Sequence, residues 1–375
     1  MSDFHPLRDL PIERLRERTS VKWGWYGSDV LPLWVAEMDA HPIPAVVEAV
    51  DQAMRSGNSG YPTSVREYAE SFACFAADRW TWTVPVDQAA MVADVMTGVS
   101  EAIALVSEPG DTVIVNPPVY PPFFGFIEHI GRLALQAPLG ADGRLDLAAV
   151  EDAYRAAGRG AVHLLSNPHN PTSVVHTRKE LADVAALAHE HGITVVVDEI
   201  HAPLVESGFV PYLTLDGTDD AIVVSSASKG FNLAGLKSAI MVGGQESRLP
   251  HLHEMVSHGP SHVAMIAHVA AFSQGSTWLD GLHADLAENR QQLADGVEKI
   301  PGVLWNQESG TYLAWLDLRA LGLGDDPAAA ILEQSGVALN SGLPFGAGGA
   351  GHARLNYATT PEILAEALGR LSSLA

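Results

Sequence analysis

The sequence predicts an α/β protein. A large domain surrounds a mostly parallel sheet of the seven-stranded type, and a small α+β domain is built from both chain ends. Three observations carry this. Short Val/Ile/Leu-rich runs alternate with helical patterns through the middle of the chain, as in strands joined by crossover helices. Several of those runs, such as Val195-Val196-Val197, are apolar at every position, the mark of strands covered on both faces. Beyond about residue 256 the pattern changes to long helices and then to isolated strands.

In chain order, residues 91–95 read as a strand with a helix from Val99 behind it, and 112–116 as a strand with a helix beginning near Tyr120. Residues 162–166 read as a strand followed by a helix over 178–191. Further strands are read at 194–198, 221–225 and 239–242. Long helices are predicted over 261–274 and 277–300. Then come a strand at 312–317, a helix over 327–336 with Pro at its start, a Gly-rich turn, a strand at 353–358 and a helix over 361–374. The segment to about Pro44 has little periodicity and is expected to pack against this C-terminal part. The division is therefore 46–280 for the large domain, with 1–45 and 281–375 forming the small one.

The 375 residues carry 22 Lys and Arg against 45 Asp and Glu, a formal charge of −23. Nucleic acid and anionic membrane would both be repelled, so neither is an expected partner. Hydrophobic residues make up 47 %, enough for a large core and against wholesale disorder. Residues 1–18 mix acids and bases without the apolar stretch of a signal peptide. No apolar run approaches the ~18–20 residues of a membrane span. The lone Cys74 sits in an apolar helical stretch and reads as a small core residue. A reducing, cytoplasmic setting is the expectation.

Ligands of parallel α/β sheets bind beyond the carboxyl ends of strands. Five such ends carry Thr97-Gly98-Val99-Ser100, Pro117-Pro118-Val119-Tyr120, Asn167-Pro168-His169-Asn170, Asp198-Glu199-Ile200-His201 and Ser226-Ala227-Ser228-Lys229. Lys229, one of only five lysines, follows small residues at a strand end. Burial there disfavours its charged form and makes it a nucleophile suited to a Schiff base; the alternative is an ordinary loop lysine. Asp198, directly after an apolar strand, needs a positive partner. That partner is a pyridinium nitrogen or a structural cation, unless the residue is a helix cap. Gly98 opening a helix, with Ser226 and Ser228 beside the lysine, would form a phosphate cup.

These residues resemble the fold-type I pyridoxal-phosphate (PLP) enzymes of the class I/II aminotransferase superfamily, and within it the cystathionine β-lyase (C–S lyase) branch. The markers are Trp34-Val35-Ala36-Glu37-Met38-Asp39, Gly60-Tyr61-Pro62, Pro117-Pro118-Val119-Tyr120, Asn167-Pro168-His169-Asn170-Pro171-Thr172, Asp198-Glu199-Ile200-His201, Ser228-Lys229-Gly230-Phe231-Asn232-Leu233-Ala234-Gly235 and Arg354-Leu355-Asn356-Tyr357. They span nearly the whole chain.

The resemblance implies a PLP cofactor and a role for each residue. Lys229 forms the Schiff base with the cofactor and later moves the substrate's Cα proton. Asp198 pairs with the pyridinium nitrogen, Asn170 bonds the cofactor's phenolic oxygen, and His201 stands near that oxygen. Tyr120 stacks on the ring. Gly98, Val99, Ser226 and Ser228 hold the phosphate. Tyr61 reaches the phosphate and the substrate from the other subunit of a homodimer. Arg354 clamps the carboxylate of a small amino-acid substrate, a task suited to a planar bidentate fork. Three positions depart from the pattern. Ser173 stands where most relatives carry Gly, Thr97 where lyases often have Pro, and Lys237 where many aminotransferases place a phosphate-binding Arg.

Other signals are set aside. Gly346-Ala347-Gly348-Gly349-Ala350-Gly351 matches a dinucleotide motif but does not open a helix after a strand. His253 and His258 have one residue too many for a zinc H-E-x-x-H, so no metal is expected. Trp23, Trp25 and Tyr26 read as packing of the small domain. The expected activity is β-elimination from cystathionine or another sulfur-containing cysteine conjugate, in amino-acid metabolism and methionine biosynthesis. Alternatives are an aminotransferase on the same apparatus, or a fold-retaining regulatory or interaction protein.

Overall fold

The protein, described by a computed structural model over residues 4–374, is built on a seven-stranded sheet. The first three residues and the last one of the expected small domain lie outside the described residues. Across the sheet the strands run Ala89–Val92, Ala239–Gly243, Ile222–Ser225, Thr194–Asp198, Val162–Ser166, Thr112–Val115 and Leu133–Gln136. Ala239–Gly243 alone runs against the direction of the other six strands. The central strands are buried at almost every position because both faces are covered. Val113 and Val115 face one core with the helices Val95–Val106 and Pro122–His129. Ile114 faces the other, with Leu147–Ala157 and Arg178–His191.

Local chemistry sets the helix bounds. Arg178–His191 starts on a capping box between Thr177 and Glu180 and stops at Gly192, whose φ of 67° favours a residue without Cβ. Two readings are corrected at this level. The helix after the first sheet strand begins at Val95, not Val99, because Asp94 caps it by accepting from the Thr97 N–H at 2.8 Å. Gly98 is therefore inside the helix, where a Cβ would come within 2.9 Å of Val92 and Val224. The edge strand Leu133–Gln136, exposed at three of its four positions and without β-branched residues, is an addition to the six strands read from sequence.

The chain ends meet. Leu31–Pro32 pairs in parallel with Val337–Ala338. A four-stranded antiparallel sheet joins Asn340–Ser341, His352–Asn356, Leu313–Asp317 and Leu304–Trp305. Between Leu33 and Ala40 the backbone forms no regular element, so its carbonyls need other donors. Asn356 Nδ2 donates to the Val35 and Glu37 oxygens, Tyr312 Oη to Ala36, and Asn232 Nδ2 to Met38. Lys22 donates to Glu37 O and forms a fully buried ion pair with Asp39 at 2.7 Å. Trp23 Nε1 donates to the other Asp39 oxygen, also at 2.7 Å.

Two further expectations are corrected. Cys74 is exposed, because the helix Arg66–Trp80 buries Tyr68, Phe72, Phe75 and Ala76 on its opposite side. Trp25 is 68 % exposed and leans on Trp34 at 6.0 Å between ring centroids, while Trp23 is the buried member of the pair.

Candidate active site

A cavity of about 530 Å³ lies beyond the carboxyl ends of the sheet strands. Of the residues singled out in the sequence, Tyr120, Asn170, Asp198, His201, Ser228, Lys229 and Arg354 line it. Asp198 ends the strand Thr194–Asp198, and its Oδ1 accepts the Ile200 N–H at 3.0 Å. Burial pushes its carboxyl up to about 6, the state expected of an acid short of a positive partner. Lys229 lies in the short helix Ala227–Gly230, capped by Ser226, and Nζ donates to Ala36 O at 2.9 Å. Burial, with Arg354 nearby, lowers its ammonium to about 8.

Arg354 enters from the middle of the strand His352–Asn356. Nη1 donates to Asn170 Oδ1 at 2.9 Å, Nη2 to Trp34 O at 3.2 Å, and the guanidinium stands 5.2 Å from the Phe345 ring centroid. It is 3 % exposed, and among the described residues no carboxylate reaches it. Burial lowers its pKa to about 10. Nε is buried without a partner, as is His201 Nδ1. Burial keeps His201 well below its ordinary pKa and hence neutral. Its ring meets Tyr312 edge-on at 6.1 Å. Cation, acid, neutral imidazole and the Tyr120 phenol thus converge on one cavity, a combination able to hold an anionic substrate and manage a proton.

Four of the singled-out residues do not line the cavity. Ser226 lies one shell back, its Oγ 2.8 Å from Ser228 Oγ and from Ser238 O. Val99 is core, and Gly98 packs on the sheet. Tyr61 is 92 % exposed and stands away from the cavity. The helix contributes Asp94, Val95 and Met96 to the wall in place of Gly98 and Val99, because it starts a turn earlier than the sequence reading placed it. Sequence reasoning missed Asp94, although a polar residue between strand and helix is itself a cap signal. It quoted Trp34 within a motif and gave it no role; the residue lines the cavity. Lys237 lines it as well, 3.1 Å from Asp94. Ser173 adopts φ 61°, the conformation a glycine would take most easily, and its hydroxyl donates to Leu313 O.

This chain belongs to the family of class I and II aminotransferases, whose model matches residues 28–371. Within it, the chain is 50 % identical to a Mycobacterium leprae protein named "Putative cystathionine beta-lyase", over 98 % of this chain and 97 % of that one. It is 32 % identical to the cystathionine beta-lyase of Corynebacterium glutamicum, over 98 % of this chain and the whole of the other. It superposes with a TM-score of 0.91 on the crystal structure of a "putative plp-dependent beta-cystathionase" from Corynebacterium diphtheriae, at 34 % identity over 97 % of each chain.

Proposed function

We propose that this protein is a PLP-dependent carbon–sulfur β-lyase that cleaves cystathionine or a related cysteine S-conjugate to a thiol, pyruvate and ammonia. The named relatives support the activity, and one observation carries the substrate class: a buried guanidinium without a carboxylate partner, across one cavity from a buried lysine near neutrality. Arg354 is the receptor for the α-carboxylate of an amino acid, bound through two parallel N–H···O contacts.

The residues present fit the cofactor: an unpaired buried acid, an orphaned imidazole nitrogen, a flat aromatic wall and a lysine of lowered pKa. Bound here, PLP supplies an electron sink for the pair left on Cα. Lys229 would hold the cofactor through its carbonyl carbon, and its neutral amine would be the base for the substrate's Cα proton. Asp198 would hold a proton on the ring nitrogen, and that positive charge would favour its ionised form. Asn170 orients Arg354 through Oδ1, and its Nδ2 would be free to bond the ring oxygen. His201, neutral, would hydrogen-bond on the same side. Tyr120 would cover the ring face, and Ser228 would serve the phosphate with the helix start at Val95 and Met96, Ser226 supporting Ser228 from behind.

The reading includes a cytoplasmic homodimer with a division at 46–280 against 1–45 and 281–375, in which an exposed Tyr61 from one subunit completes the other's site. The thiol freed from cystathionine would enter methionine biosynthesis. The test is to incubate the purified protein with L-cystathionine in the absence of any keto acid. Pyruvate is expected from the wild type and none from Lys229→Ala. If turnover instead requires an added keto acid and yields no pyruvate, the lyase reading is wrong.

A further inference from the structure

We propose that Asp94 and Lys237 form a charge-balanced pair inside the phosphate end of the cofactor site, Asp94 opposing the phosphate and Lys237 offsetting Asp94, so that the pair sets how tightly the cofactor is held. This rests on the PLP reading above.

The helix Val95–Val106 presents its N-terminus to the cavity through Asp94, Val95 and Met96. Ser228 and Lys229 line the same cavity. Free N–H groups and the helix dipole make such an end a place for an anion. Here the chain's own anion is already present. Asp94 Oδ1 accepts from Thr97 N at 2.8 Å, and Oδ2 meets Lys237 Nζ at 3.1 Å. A phosphate ester, carrying roughly two negative charges at neutral pH, therefore enters beside a carboxylate. Lys237 cancels that carboxylate. The pair is partly exposed, so its worth to folding is small. Its weight falls on the net charge an incoming phosphate meets: zero with both residues, −1 without the lysine, +1 without the acid.

Four proteins freed of cofactor test this: wild type, Asp94→Asn, Lys237→Gln and the double variant. Each is titrated with PLP and with pyridoxal, which lacks the phosphate, and binding is followed by absorbance and tryptophan fluorescence. Asn caps a helix as well as Asp, so the Asp94 variant keeps its fold, and thermal melts of all four check this. Lys237→Gln is expected to weaken PLP binding roughly tenfold, as one unit charge at the rim of a site does. Asp94→Asn is expected to tighten it by a similar factor, and the double variant to return to within about threefold of wild type. With pyridoxal the four proteins should bind alike. An Asp94→Asn protein that binds PLP no more tightly, or a double variant as weak as Lys237→Gln, overturns the proposal. A folded wild type that binds no PLP overturns the reading beneath it instead.

Discussion

The two walls of the cavity are held by different means. The sheet wall carries Asp198, Asn170, Ser228 and Lys229, each within four residues of the end of a buried parallel strand. Backbone ladders fix these positions. The opposite wall is the start of the irregular segment, Trp34 to Ala36, with Arg354, and Tyr312 stands behind it. There, side chains from distant parts of the sequence hold carbonyls one by one. Two of those donors, Lys229 to Ala36 and Arg354 to Trp34, are the groups assigned to cofactor and substrate. The sheet wall is pre-organised whatever is bound, whereas the other wall shares its hydrogen bonds with the ligands.

Three experiments sharpen or break this contrast. The largest effect is expected from Lys22→Met, which leaves the Asp39 carboxylate buried against Trp23 without its cation. Breaking a buried pair on one side costs about 3–5 kcal/mol, read as a lowered denaturant midpoint. Substrate use should fall with it, because Asp39 anchors the segment under Arg354. An unchanged midpoint would mean that the irregular wall does not depend on this pair.

Arg354→Lys comes next. An ammonium cannot copy the planar fork, and losing a charge-assisted contact of this kind costs about 1.5–3 kcal/mol, roughly ten- to a hundredfold in kcat/KM. The visible absorbance of bound cofactor should persist, since its contacts lie on the sheet wall. Absorbance lost together with turnover would make Arg354 a structural residue of both walls.

The smallest effect is a pH dependence. Only neutral Lys229 attacks an aldehyde. Burial lowers its pKa to about 8 from the ordinary 10.5, so the neutral fraction grows as pH rises and levels off above 8. The rate at which cofactor-free protein captures PLP should rise by about tenfold per pH unit below that point. A rise continuing unbroken to pH 10 would show a lysine that is not desolvated.

The same contrast explains what the sequence disclosed. Asp198 and Lys229 could be found because a polar residue ending an apolar strand is anomalous on its own terms. Helix Arg178–His191 matched its expected bounds because Thr177, Glu180 and Gly192 are local signals. The start at Val95 differs from the expected one because the cap is Asp94, and Gly98, a weaker helix-start signal, lies inside the first turns. Trp34 and Tyr312 were out of reach for another reason. The place of Trp34 at the cavity, and of Tyr312 behind it, depends on pairings between residues some 280 to 320 positions apart, which no periodicity encodes. Composition misleads at Cys74: its neighbours in sequence are apolar, but the helix turns it away from the face they bury.

That outward Cys74 has a practical side. It is the chain's only thiol, so a maleimide dye will attach at one known position per polypeptide, on the helix Arg66–Trp80 and away from the cavity. The same thiol contributes one equivalent of background to any assay that counts released sulfhydryls with a disulfide reagent. Burst measurements on this enzyme are therefore best standardised on pyruvate, or made after Cys74 has been alkylated.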